Sequence, residues 1–181
     1  MTGGIGSGKS EASKLFEELS VPIIDLDDIA HRITKKDCLG YIEIIKYFGK
    51  KYLDTNKNII RKNLKIDIFN STKVKKKIES ILHPIILSEC KKQICKYKSE
   101  KFIVIVIPLL FETENYLKII DESLFVDCNE DIQFKRVSDR DNLDGSLIKS
   151  IINSQLSRDQ KIKKADTIIE NNHSKALFKE E

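Results

Sequence analysis

The chain has 181 residues, 40% of them hydrophobic and 33% charged, with a formal net charge of +4 at pH 7. That length allows one sizeable core, with small appended modules, and excludes two ordinary domains. No run of about 18 apolar residues occurs, and the chain opens on a glycine loop instead of a signal peptide or amphipathic presequence, so no membrane association and a cytoplasmic location are expected. Cys38, Cys90, Cys95 and Cys128 show no C-x-x-C spacing and no nearby histidine pair, so they are expected as small core hydrophobes in a reducing compartment and not as zinc ligands. The modest positive charge suits anionic small molecules. The run Lys75-Lys76-Lys77 reads as a solvated helix face, and no aromatic platform interleaves the basic residues, which argues against nucleic acid.

The first element is Gly3-Gly4-Ile5-Gly6-Ser7-Gly8-Lys9-Ser10, which fits G-x-x-x-x-G-K-S/T. In such a loop, backbone N–H groups, here those around Gly4, Gly6, Ser7 and Gly8, wrap a polyphosphate. Lys9 reaches its terminal phosphates and the Ser10 hydroxyl reaches Mg²⁺. Ala12, Leu15, Phe16 and Leu19 recur at helical spacing behind the loop, so a helix N-terminus with its partial positive charge is expected to point at the anion. Only Met1 and Thr2 precede the first glycine. The central strand that normally leads into such a loop is therefore expected to be missing, either because residues lie upstream of this start or because the protein folds and works poorly.

Val21-Pro22-Ile23-Ile24 predicts a short strand ending in Asp25-Leu26-Asp27. That D-x-D lies where an open α/β sheet places its chemistry, at the carboxyl end of a strand. Residues 28–100 read as almost wholly helical and as an inserted substrate-binding module. Ile29 and Ile33 begin one segment, and Ile42, Ile45 and Phe48 stripe another that stops at Gly49. A polar turn follows at Asp54-Thr55-Asn56-Lys57-Asn58. Ser71 caps a helix burying Val74, Ile78, Ile81 and Leu82, and His83-Pro84 is expected to start the next. The β-branched run 102–107 reads as a strand buried on both faces, ending in Pro108-Leu109-Leu110-Phe111-Glu112. A third strand spans 123–127, a helix runs from about Glu130 to Arg140, and a last strand covers 167–169. Alternating strands and helices predict a parallel sheet with right-handed crossovers.

These landmarks resemble the dephospho-coenzyme A kinase family across nearly the whole chain. The resemblance is carried by Thr2-Gly3-Gly4-Ile5 and the rest of the loop, Ile24-Asp25-Leu26-Asp27, Ile29-Ala30-His31, Phe48-Gly49, and Arg61 ahead of Ile68-Phe69. It continues through Leu82-His83-Pro84, Pro108-Leu109-Leu110-Phe111-Glu112, Val126-Asp127, Arg136 with Arg140, Gln155, and Ala165-Asp166 leading to Asn171. It implies an α/β P-loop kinase fold of three layers with a parallel sheet, a helical coenzyme-binding insertion at 28–100 and a mobile lid at about 138–160. The implied reaction moves the γ-phosphoryl group of ATP, with Mg²⁺, to the 3′-hydroxyl of dephospho-coenzyme A, the last step of coenzyme A synthesis.

The family's residues carry over position by position. Asp27 resembles the catalytic base toward the acceptor hydroxyl, and Asp25 a residue of the substrate site that shares the Mg²⁺ shell through water; a helix cap with a first-turn acid is the alternative for the pair. Arg140 resembles the lid arginine that reaches the transferring phosphate and Arg136 one lying against the nucleotide, with ion pairing to Asp139 or Asp141 as the alternative. Arg61 resembles a substrate-module position and Gln155 a lid position, while His83 is divided between contacting substrate and packing. Glu11 departs from the small residue usual in the family and sets a carboxylate close to the α-phosphate. His31 and His173 are read as surface residues, and Phe16, Phe48 and Phe102 as core. Competing readings are a shikimate, gluconate or nucleoside monophosphate kinase, an eroded inactive kinase, and a GTPase switch suggested by Thr34-Lys35-Lys36-Asp37 but placed too early in the chain. The sequence leaves the oligomeric state open.

Overall fold

The computed structural model describes residues 1–141, 143–173 and 175–179. It divides into two compact units, Met1–Ile24 with Ser99–Glu181, and Asp25–Lys98. Among the described residues the strands are β1 (Thr2–Gly3), β2 (Ile23–Asp25), β3 (Val104–Val106), β4 (Leu124–Asp127) and β5 (Thr167–Glu170). β1 lies parallel to β4, with Thr2 opposite Phe125 and Gly3 opposite Val126. β4 lies parallel to β5, from Leu124 opposite Thr167 to Asp127 opposite Glu170. On the other side of β1, the Met1 nitrogen donates to Ile105 O at 2.7 Å and Ile107 N donates to Met1 O at 2.9 Å. The strands form a three-stranded sheet, β1-β4-β5, and a two-stranded one, β2-β3, and the Met1 bonds bridge the two at β1 and β3 into the order β2-β3-β1-β4-β5.

The first strand is therefore present, against the expectation from sequence. A central strand is defined by backbone pairing on both edges, and Met1, Thr2 and Gly3 supply it although their apolar run is short. The Met1 side chain lies in the core with Ala12, Val104, Val106, Val126 and Phe178, and Leu15 and Phe16 pack against it.

Helix α1 (Lys9–Glu18) leads from the glycine loop toward β2. Leu19, expected on its buried stripe, is 73% exposed because the helix ends at Glu18 and Leu19 is its C-terminal cap. Phe102 is also exposed and not core, since β3 begins only at Val104.

The unit Asp25–Lys98 is built from α2 (Leu26–Ile33), α3 (Leu39–Phe48), α4 (Arg61–Asn70) and α5 (Thr72–Lys96). Its core holds Ile44, Tyr52, Leu64 and Ile78, with Phe48, Val74, Ile81 and Leu82 packed around them. The inward stripe of α3 is Tyr41, Ile44 and Phe48, whereas Ile42 faces out. Gly49 ends α3 at φ +61°, and the Ser71 hydroxyl caps α5 by accepting from Val74 N at 3.3 Å.

Pro84 starts no helix: α5 runs through it for 25 residues. Proline inside a helix forfeits the bond to the carbonyl four residues back and costs about 3 kcal/mol. Ile78, Ile86 and Cys90 form one buried stripe on both sides of it. At about 1.5–3 kcal/mol per large apolar side chain, that burial outweighs the proline penalty.

Cys90 and Cys128 are buried, but Cys38 is half-buried and Cys95 exposed, so only two of the four thiols are core hydrophobes. Cys95 lies in the last turn of α5, where its helix neighbours Lys91, Lys92 and Lys96 are also exposed, and a small apolar group on that charged face gains no cover. Among the described residues, no helix is long and apolar enough to cross a membrane.

Candidate active site

The glycine loop turns where only glycine is comfortable. Gly8 is the N-terminal cap of α1 at φ +101°, and Gly6 has φ +71° with Gln133 O only 2.7 Å from where a Cβ would sit. Among the described residues no side chain caps α1, so its first-turn N–H groups keep the partial positive charge of a helix N-terminus. The Lys9 ammonium donates to Gly3 O at 2.7 Å and Gly4 O at 2.9 Å. Ser10 is exposed at the same end, and Glu11 is half-buried in the first turn.

The loop is held from behind by side chains of its own unit. Ser7 is fully buried; its carbonyl accepts from Asn171 Nδ2 at 2.8 Å and from Arg136 Nη1 at 3.5 Å. Arg136 Nη2 also donates to Asn171 Oδ1 at 3.2 Å. Arg136 thus lies beside the glycine loop, projecting from α6 (Glu130–Asp141). Arg140, one turn further along α6, is exposed and makes a two-point ion pair with Asp141 at 2.7 and 2.6 Å.

In the other unit, Asp25 is the N-terminal cap of α2 and its Oδ1 accepts from Asp27 N at 2.7 Å. Asp27 and Asp28 are exposed in the first turn, so the helix-capping geometry is present, and it leaves the Asp27 carboxylate at the surface. Arg61 donates to His31 O and Thr34 Oγ1, each at 2.9 Å, which fastens the start of α4 to the end of α2. Thr34 and its T-K-x-D neighbours form the turn that ends α2. His83 is half-buried in the middle of α5, while His31 and His173 are exposed.

Several residues escape a reading of the sequence. α7 (Gly145–Asn153) and α8 (Arg158–Lys164) follow α6, and Arg158 from α8 grips Asp127 at 2.6–3.0 Å. Asp127 is 1% exposed at the end of β4. A carboxylate that ends a buried strand requires a partner, and that is the signal that points to a cation elsewhere in the chain. Ser157 and Gln160 form a capping box that starts α8, a pattern visible in Ser157-Arg158-Asp159-Gln160. A cavity of about 150 Å³ is lined by Gly4, Gln133, Gln155, Arg158 and Lys161 among others. Burial pushes the Lys161 ammonium below the ordinary lysine value, and Glu112 and Glu130 pull it back. Burial likewise pushes the Cys128 thiol up, opposed by Arg136.

Among the described residues no group of three histidine, cysteine or acidic side chains could hold a metal ion alone. Mg²⁺ is suited by another arrangement, one or two oxygen ligands from protein with the rest from phosphates and water. In the loop's own unit, the exposed Ser10 hydroxyl is a hard oxygen donor of that kind.

Known proteins are similar to this chain in sequence and in fold. A family model described as dephospho-CoA kinase matches residues 1–176. A dephospho-CoA kinase from Nitrosospira multiformis is 36% identical over 172 residues, covering 95% of this chain and 86% of the relative. A crystal structure from Thermus thermophilus superposes with a TM-score of 0.83 at 26% identity, covering 98% of this chain and 88% of that one. A dephospho-CoA kinase from Campylobacter jejuni gives a TM-score of 0.70 at 32% identity, covering 99% and 90%.

Proposed function

Because the chain belongs to the dephospho-CoA kinase family, and so is an ATP-dependent kinase acting at the last step of coenzyme A synthesis, we propose how its residues divide that work. The observation that carries the reading is the glycine loop: a helix N-terminus that begins at glycine, with the Lys9 ammonium folded onto the loop's own carbonyls. Phosphoryl transfer needs positioning and charge neutralisation more than covalent chemistry from the protein. The N–H groups around Gly4, Gly6, Ser7 and Gly8 receive the phosphates, and Lys9 exchanges its carbonyl partners for the β- and γ-phosphate oxygens. Glu11 lies in the turn nearest the α-phosphate. Arg136 flanks the nucleotide, and Arg140 leaves Asp141 to meet the transferring phosphoryl group.

Asp27 takes or orients the proton of the acceptor 3′-hydroxyl, which suits an exposed carboxylate. Asp25, Arg61 and His83 belong to the acceptor side, with the helical module at 28–100, and residues at about 138–160 act as the lid. The Ser10 hydroxyl and, through water, the Asp25 carboxylate are the oxygen donors for Mg²⁺. When bound, that ion neutralises charge on the β- and γ-phosphates. The cytoplasm is the proposed location.

The test is ADP release in the presence of Mg²⁺ and ATP with dephospho-coenzyme A, AMP or shikimate as separate acceptors. Turnover with dephospho-coenzyme A alone is expected. Preferred turnover of AMP or shikimate would overturn the acceptor assignment.

A further inference from the structure

Gln155 sits in the turn between α7 and α8, and its Oε1 receives two donors: Ile5 N of the glycine loop at 3.4 Å and Lys161 Nζ at 3.2 Å. A carboxamide has one accepting and one donating end, so two donors converging on one oxygen fix which way it faces. Lys161 is only 7% exposed, and its ammonium also lies 3.9 Å from Glu112 Oε1. That same Glu112 oxygen accepts from Leu156 N at 3.0 Å, which closes a ring through Lys161, Gln155, Leu156 and Glu112. A buried ammonium is costly unless its protons are satisfied, so its place in this ring is strongly determined.

We infer that Lys161 is a positioning residue for the phosphate loop: by turning Gln155 Oε1 toward the Ile5 N–H, it holds the loop in the shape that receives polyphosphate. The inference rests on reading Gly3–Ser10 as the nucleotide-binding loop. Lys161 acts on the loop through Gln155, while its contact with Glu112 steadies the rest of the ring. Its removal frees the amide to rotate, and the loop loses the tie at Ile5.

The test combines amide hydrogen exchange at Ile5, followed by NMR on the full chain, with the affinity for Mg²⁺-ADP. Lys161→Met is expected to speed Ile5 exchange and to weaken ADP binding by about tenfold, the range of one lost charge-assisted hydrogen bond. The KM for dephospho-coenzyme A should stay within about twofold of the parent, because the residues proposed for the acceptor side, Asp25, Arg61 and His83, are left intact. Gln155→Leu should reproduce the faster Ile5 exchange and the weaker ADP binding, and adding Lys161→Met to it should speed Ile5 exchange no further. Lys161→Arg, which keeps the donors, should preserve Ile5 protection.

Unchanged Ile5 exchange in Lys161→Met, or additive losses of Ile5 protection in the double variant, would overturn the inference. If Lys161→Met does not fold, protection must fall in Gln155→Leu and survive in Lys161→Arg, and either opposite result overturns it. Exchange is read without an acceptor, so a parent protein that failed to phosphorylate dephospho-coenzyme A would count against the functional reading alone.

Discussion

Arg158→Met is the most informative stability variant. The guanidinium makes three contacts of 2.6–3.0 Å with Asp127, whose side chain is buried, while the arginine's own side chain is 36% exposed. Breaking a fully buried pair by removing one partner costs about 3–5 kcal/mol, because it strands a charge. Water reaches the arginine side here, which lowers the expected loss to about 2–3 kcal/mol. In a chain of this length that is a fall in Tm of about 4–12 °C. Urea unfolding of Arg158→Met, Asp127→Asn and the double variant measures it. Removing both charges should cost less than the sum of the single losses. Additive losses, or an Arg158→Met protein within about 0.5 kcal/mol of the parent, would refute the argument that Asp127 depends on Arg158.

Other expectations concern chemistry and pH. Lys9→Ala and Asp27→Asn should each cut turnover by orders of magnitude with little change in melting temperature; near-full activity in either would remove that residue's role. Hydrogen bonds from Lys51 and Tyr52 hold the Asp67 carboxyl below the ordinary carboxylate value. Its contribution to stability is therefore complete above that ordinary value and is lost as pH falls through the lower folded value. Asp67→Asn should accordingly flatten the acid limb of a stability-against-pH curve, and an unchanged limb would show that the pair is inconsequential. Burial raises the Cys90 thiol to about 11, whereas Cys95 is exposed. Iodoacetamide at pH 8 should modify Cys95 first, and mass spectrometry that found Cys90 alkylated first would contradict the packing of α5.

What the sequence reveals and what it hides differ in range along the chain. The glycine loop is legible because each requirement is local: Gly6 and Gly8 need positive φ, and α1 begins at Lys9. The β-branched run before Pro108 announces a buried strand for the same reason, and β4 and α6 are visible in their own periodicity. The pairings of Asp127 with Arg158, 31 positions apart, and of Ile5 with Gln155, 150 positions apart, carry no such signal. Those partners are selected by the sheet order and by the crossover after β4. Pro84 reads as a helix start only while its local penalty is weighed without the burial of Ile78, Ile86 and Cys90, which packing alone discloses.

The same distinction separates the two arginines of α6. Arg136 is tied to Ser7 O and Asn171 Oδ1, groups fixed by the loop and by the end of β5, so its position is part of the fold. Arg140 pairs on the surface with its sequence neighbour Asp141, and an exposed pair of this kind is worth about 0–1 kcal/mol. A phosphoryl group bearing several charges displaces such a partner easily. A rigid arginine at the loop and a readily released one a turn beyond it suit the two roles proposed for them. Nucleotide binding needs a group in place before the ligand arrives, and transfer needs one that engages only as the phosphoryl group moves.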